Sequence, residues 1–260
     1  MVVGMERFRE HFLGLEDAYV LIGGAACDAW MQRSGLQFRR TKDLDIVLVI
    51  EALGPAFVDR FRSFVEAGRY EIRVRQETGR REFFRFVRPQ VAGFPFMLEL
   101  FSRAPSGLDL GTGQGIVPVQ VDEAAASLSA ILMDDGYYEL ILATRFDAGG
   151  IPMVGVEGLI PMKAKAYLDL QKHRLDGGNV DDDDIRKHRN DIFRLALTLT
   201  AGPGPLIPPG IRATLSTFLE ALPEDSPDWS PIVQALKATV RNPPSPSELL
   251  RTIKEYFRLG

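Results

Sequence analysis

The sequence predicts an α/β (α+β) chain, with an N-terminal mixed sheet flanked by helices and a C-terminal helical domain. Three observations carry this. Short β-branched and apolar runs alternate with amphipathic stretches through the first part of the chain. From Gly158 onward only helical signals remain. The change of character falls at Ile151–Glu157, which divides the chain into 1–157 and 158–260, both ordinary domain sizes.

The elements follow in order. Met5–Leu13 reads as a short amphipathic helix. Tyr19–Ile22 reads as a buried strand that ends at Gly23-Gly24, and Ala25–Arg33 as a helix stopped at Gly35. Leu44–Ile50 is β-branched and apolar, a strong strand signal. In Pro55–Ala67, Pro55 suits the first turn and Phe57, Phe61, Phe64 and Val65 share one helical face. Strands are expected at Tyr70–Arg75, Glu82–Val87, Phe94–Phe101 and Val117–Val121. Asp134-Asp135-Gly136 reads as a hairpin turn between strands Ile131–Met133 and Tyr137–Ala143. Leu159–His173 and Asp181–Thr200 are expected helices, the second with four acidic residues where the helix dipole favours them. Gly202–Gly210 reads as a linker, followed by two or three shorter helices. The last spans Ser247–Phe257, with Ser245, Pro246 and Ser247 marking its start.

Composition narrows the class. The 260 residues are 45% hydrophobic and 25% charged, which excludes disorder and low-complexity architectures. A single cysteine, Cys27, has no disulfide partner within the chain and excludes a multi-cysteine zinc knuckle. Met1–Glu10 carries charges of both signs and no long apolar stretch, so no signal peptide is expected. No apolar run reaches the roughly 20 residues of a membrane helix, and the chain reads as cytoplasmic with no membrane partner. Net charge is −4, so there is no overall basic footprint for nucleic acid. A local basic groove and a small-molecule substrate both stay open. Arg69, Arg73, Arg75, Arg80, Arg81, Arg85 and Arg88 make one locally basic stretch. The interspersed Glu71, Glu77 and Glu82 favour a salt-bridged surface there over a phosphate-contacting wall.

The informative stretch is Leu21–Ile50. Asp43 and Asp45 are two apart at a strand start and therefore share a face. Like charges so placed repel, and a divalent metal resolves the repulsion with hard oxygen ligands. Gly23-Gly24, after a strand and before a helix, lets backbone approach a phosphate at a helix N-terminus. Glu99 stands alone in the apolar run Phe96–Phe101, where a lone acid is expensive unless it binds something. Three carboxylates on neighbouring strands could hold two metals for in-line nucleotidyl transfer. Glu99 could instead pair with Arg85 or Arg103.

Gly-Gly, a helix, Asp-x-Asp and a third acid on a later strand resemble the DNA polymerase β-type nucleotidyltransferase superfamily. Met162–Leu197 is similar to the helical half of AbiEii-type nucleotidyltransferases, the toxin components of type IV toxin–antitoxin systems. Lys163 and Ala166 match the first helical motif, and Lys187 with Asp191-Ile192 the second. His188 departs from it, and Leu175–Val180 is longer than the motif spacing.

The resemblance implies transfer of a nucleoside monophosphate from an NTP to an acceptor hydroxyl, on tRNA, other RNA or protein, with Mg²⁺ or Mn²⁺ as cofactor. It implies metal binding by Asp43 and Asp45, with Glu99 as third ligand or base. Gly23, Gly24 and Thr41 would hold phosphates. Lys163 or Lys165 would neutralise the triphosphate, and Asp191 would face the cleft. Since i and i+2 lie on different helix faces, at most one of the two lysines reaches the nucleotide. A cognate antitoxin is a further implied partner. Two alternatives stay open. One is an aminoglycoside- or lincosamide-modifying nucleotidyltransferase, and the other a catalytically silent nucleotide- or partner-binding module. An acidic acceptor pocket would mark the drug-modifying enzyme, because its substrate is cationic.

Overall fold

Apolar runs of the first half become one mixed sheet in the computed structural model, which describes residues 2–74, 81–104, 116–119 and 128–259. The chain divides into two units, Met1–Ala29 with Arg39–Val154, and Trp30–Phe38 with Gly155–Gly260. The division at Val154 lies three residues before the one the sequence pattern suggests. The segment Trp30–Phe38, which that pattern groups with the sheet, belongs to the helical unit.

The first unit opens with α1 (Met5–His11), a 3-10 turn at Glu16–Ala18, β1 (Tyr19–Ile22) and α2 (Gly23–Arg33). There follow β2 (Asp43–Leu48), α3 (Pro55–Gly68), β3 (Glu71–Val74), β4 (Arg81–Val87) and β5 (Met97–Ser102). β6 (Ile116–Val119), β7 (Leu128–Leu132), α4 (Asp135–Ala143), β8 (Arg145–Asp147) and β9 (Pro152–Val154) complete it. The sheet runs β3-β4-β5-β2-β1-β9-β8, with β7 on β5 and β6 on β7. β2 lies antiparallel to β1 and parallel to β5.

One face of this sheet is fixed by aromatic packing. Leu44, Ile46 and Leu48 alternate along β2 and are fully buried. In register with Leu48 is Tyr19, whose ring meets Phe8 and Phe12 near α1 and Phe57 of α3. Phe61 of α3 meets Phe86 of β4 edge-on at 5.4 Å between centroids. Because strand side chains alternate, this packing turns Asp43 and Asp45 to the opposite face.

One expectation is overturned. Asp134-Asp135-Gly136 is no hairpin turn, and Tyr137–Ala143 is no strand. Asp134 caps α4, its carboxylate accepting from the Gly136 amide at 2.9 Å. Tyr137, Tyr138, Leu140 and Ile141 are buried at helical spacing. Asp is as strong an N-cap as it is a turn residue, and the apolar period decided between the two.

The second unit comprises α5 (Val156–Leu175), α6 (Asp182–Ala196), α7 (Pro209–Glu220), α8 (Trp229–Lys237) and α9 (Pro246–Phe257). α5 packs on α6 and α7, and α6 on α8 and α9. Tyr167, Phe193, Phe218 and Trp229 form its aromatic centre. The acidic start of α6 is solvated, with Asp181 capping the Asp183 amide at 2.8 Å. Ser245 and Glu248 form a reciprocal capping box at the start of α9. Trp30 is half-buried, and its indole N–H donates to the Thr198 hydroxyl at 2.9 Å. Among the described residues no helix is long and apolar enough to cross a membrane.

Candidate functional site

Asp43 and Asp45 ride on β2, both half-buried. The parallel pairing of β2 with β5 sets Asp45 directly beside Glu99, and Asp43 beside Met97. Register partners share a face, so the three carboxylates belong to one face and one end of the sheet. Glu99 is buried, at 8% exposure.

The two glycines are explained by what lies over them. Gly23 has φ +65, a backbone state that L side chains rarely adopt. A Cβ there would overlap the Asp45 carboxylate, and a Cβ on Gly24 would lie 2.5 Å from the Thr41 hydroxyl. Gly23, Gly24, Thr41 and Asp45 are therefore brought together at the start of α2. Cys27, one turn on, is fully buried.

Glu99 has a strong local partner. Arg85 stands opposite it in the antiparallel β4–β5 register, and its guanidinium Nε and Nη2 both donate to Glu99 Oε1. Of the two arginines the sequence offers, Arg85 takes Glu99, while Arg103 bonds Glu51 through Nε at 3.0 Å. Arg88, in the same basic stretch, pairs with Glu71 at 3.5 Å. Arg75 and Arg80 lie outside the described residues.

Lys163, Lys165 and Asp191 fall in the helical unit. Lys163 Nζ lies 3.2 Å from Asp191 Oδ2, and both are buried. Arg194 holds the other carboxylate oxygen at 3.1 Å. Lys165 points elsewhere, exposed and bonded to Asp169 at 2.9 Å. The geometry thus separates the two lysines that the sequence left as competitors. Lys187 is exposed and pairs with Asp184 at 2.9 Å. His188, the residue that departs from the helical motif, is half-buried on α6.

A cluster absent from the sequence reading sits past the end of β2. Glu51 accepts from Arg103 and, at 2.6 Å, from the Tyr138 hydroxyl, which itself accepts from the Ile50 amide at 3.0 Å. Burial works to raise the Glu51 carboxyl, but the bonds from Tyr138 and Arg103 outweigh it and hold it below the usual range. Burial, aided by the bond to Glu51, pushes the Tyr138 phenol up to about 12. The helical conformation of 135–143 carries Tyr138 to Glu51, a contact that a strand at 137–143 does not predict.

The donors fit a hard divalent cation in kind, since Asp43, Asp45 and Glu99 offer only carboxylate oxygens. In arrangement they stop short of a closed set. Among the described residues no group of three or more His, Cys, Asp or Glu side chains is poised to hold a metal. Glu99 is engaged by Arg85, and Asp43 and Asp45 lie two residues apart on β2.

No protein-family model matches the chain, and no curated protein matches it.

Proposed function

We propose that this chain is a metal-dependent nucleotidyltransferase that moves a nucleoside monophosphate from an NTP to an acceptor hydroxyl. The observation that carries this reading is the register of β2 with β5. It sets Asp45 beside Glu99, two residues from Asp43, where Gly23-Gly24 opens α2. The close seat of Asp45 on Gly23 supports a built site.

In this reading Asp43, Asp45 and Glu99 are the residues that would hold Mg²⁺ or Mn²⁺, with Arg85 the present partner of Glu99. The bound ion would polarise the α-phosphate and acidify the acceptor hydroxyl. The α2 amides after Gly23 and the Thr41 hydroxyl hold the outer phosphates. The acceptor oxygen bonds to the α-phosphorus, the bond from that phosphorus to the bridging oxygen breaks, and pyrophosphate leaves. The acceptor proton passes to a carboxylate of the site and then to water. The acceptor is RNA, with tRNA the first candidate. A toxin-like role with a cognate antitoxin in the cytoplasm extends the same proposal.

The test is a transfer assay with Mg²⁺ and each α-labelled NTP, with and without bulk tRNA. Wild-type protein is expected to label tRNA. Asp43→Ala is expected to lose at least roughly a hundredfold in rate, more than outer-shell changes at metal sites typically cost, with its melting temperature kept. Equal labelling by wild type and variant would overturn the reading. Label on the protein itself would replace RNA with a protein hydroxyl as the acceptor.

A further inference from the structure

We infer that Arg85, Val87 and Met97 seat the terminal nucleotide of an RNA acceptor, with Arg85 on its phosphate. The inference rests on the nucleotidyltransferase reading above and names the acceptor side of the same site.

Strand register draws this surface. β2 has β1 on one side and β5 on the other, and β4 lies beyond β5. Glu99 is the register partner of both Asp45 and Arg85, so Arg85, Glu99 and Asp45 form one row across three strands. Met97 is the partner of both Asp43 and Val87, which makes Val87, Met97 and Asp43 a second row. Residues in register share a face, and so do residues two apart on one strand. Arg85, Val87 and Met97 therefore stand on the face of the three carboxylates.

Arg85 has donors to spare. A guanidinium carries five N–H groups in a fixed fork. Glu99 Oε1 takes one from Nε and one from Nη2. Nη1 donates to no group among the described residues, and the side chain keeps 27% of its surface exposed. A fork anchored on one edge by a carboxylate presents its other edge already oriented. Two phosphate oxygens match that edge.

Val87 and Met97 are both half-buried, so an apolar pair is partly open beside Asp43. Such a surface suits the sugar and base of a nucleotide, and the unbranched thioether of Met97 adapts to either. A cation next to an apolar pair matches one nucleotide, which carries an anion and a weakly polar body. It repels a cationic drug.

Position separates acceptor from NTP. Gly23 follows Ile22, the register partner of Asp45 on the β1 side. That flank suits the outer phosphates of the NTP. The β5 flank, with Met97, Arg85 and Val87, is left for the chain that receives the nucleotide.

The test uses the full chain in EDTA with a short, internally labelled single-stranded RNA, linear or closed into a circle. Binding is followed by fluorescence anisotropy over a series of salt concentrations. Arg85→Met is expected to weaken linear RNA binding about tenfold, the effect of losing one hydrogen bond to a charged group. It should also make log affinity against log salt shallower by about 0.7, the value for one phosphate of a single strand. Arg85→Lys keeps the charge and should keep the slope. Met97→Ala leaves Arg85 on Glu99, and it should weaken binding about fivefold with the slope unchanged, as for one or two methylenes returned to water. Circular RNA has no terminal nucleotide and should bind all four proteins alike. Unchanged linear affinity and slope in Arg85→Met would overturn the inference. So would equal losses on linear and circular RNA, which would make this face a general strand contact. Should Arg85→Met fail to fold, unchanged linear affinity in Met97→Ala would overturn it as well. Failure of the underlying reading looks different. Transfer would then be absent or indifferent to Asp43→Ala while the losses on linear RNA persisted, and the acceptor role would fall with an RNA-end site left standing.

Discussion

Glu99 and Asp191 each meet an arginine, yet the two carboxylates live in different settings. Glu99 lies on a sheet, in register beside Asp45, and the acids on its neighbouring strand are only half-buried. Asp191 lies on a helix at 0% exposure, with one oxygen on Lys163 and the other on Arg194. Removing a charge from water costs several kcal/mol, and good pairing offsets that cost without turning it into a large gain. The helical cluster therefore sits where any loss of a partner is severe. It also bridges α5 and α6, the elements that carry Lys163 and Asp191. The half-buried acids of the sheet can exchange partners at lower cost, which the proposed metal site requires.

That contrast can be broken by substitution. Asp191→Ala leaves the buried Lys163 and the half-buried Arg194 without their carboxylate and is expected to cost about 3–5 kcal/mol in urea unfolding. The companion double variant, Lys163→Met with Asp191→Leu, should recover much of that loss. Asp45→Ala should stay within about 1 kcal/mol of wild type, as changes at partly exposed positions usually do. Equal destabilisation by the two alanine variants would erase the distinction between the sites.

A smaller effect sharpens the sheet side. Arg85→Met takes a competing cation from Glu99. Mn²⁺ affinity, read by electron paramagnetic resonance or calorimetry, is expected to rise by up to about fivefold, the range of a partly exposed ion pair. Lower affinity would show that Arg85 orients Glu99 for metal instead of competing for it.

The smallest effect concerns pH. The Glu51 carboxyl is held below its ordinary value of 4.5 in the folded chain. Its contribution is therefore fully present above about pH 4.5 and is lost as pH falls through the lowered folded value. Glu51 is half exposed, so solvent screening keeps this contribution below about 1 kcal/mol. Tyr138→Phe removes one of the bonds that lower this carboxyl, so it should reduce stability near pH 7 by up to about 1 kcal/mol and by progressively less as pH falls below about 4.5, read by urea unfolding at a series of pH values.

How much of this was legible depends on the range of the interaction. The alternation that puts Leu44, Ile46 and Leu48 on one face and Asp43 and Asp45 on the other is local, and periodicity reveals it. The helix cap of Asp134 was also local, but Asp-Asp-Gly supports two readings and only the following apolar period separates them. The choice of Arg85 over Arg103 for Glu99 was not legible, because it depends on the register of β4 against β5. The burial of Lys163 against exposed Lys165 likewise needed α6, which brings Asp191 and Arg194 from some 30 residues away in sequence. Such pairings are decided by packing between elements distant in the chain, and a single sequence does not print them.

Gly23 has no functional group, yet its position ties it to the Asp45 carboxylate. Any side chain there would displace the Asp45 carboxylate and strain a backbone at φ +65. In a survey of all single substitutions scored by activity, position 23 should look as intolerant as the acids themselves. Such intolerance would come from the empty space that Gly23 leaves beneath a carboxylate.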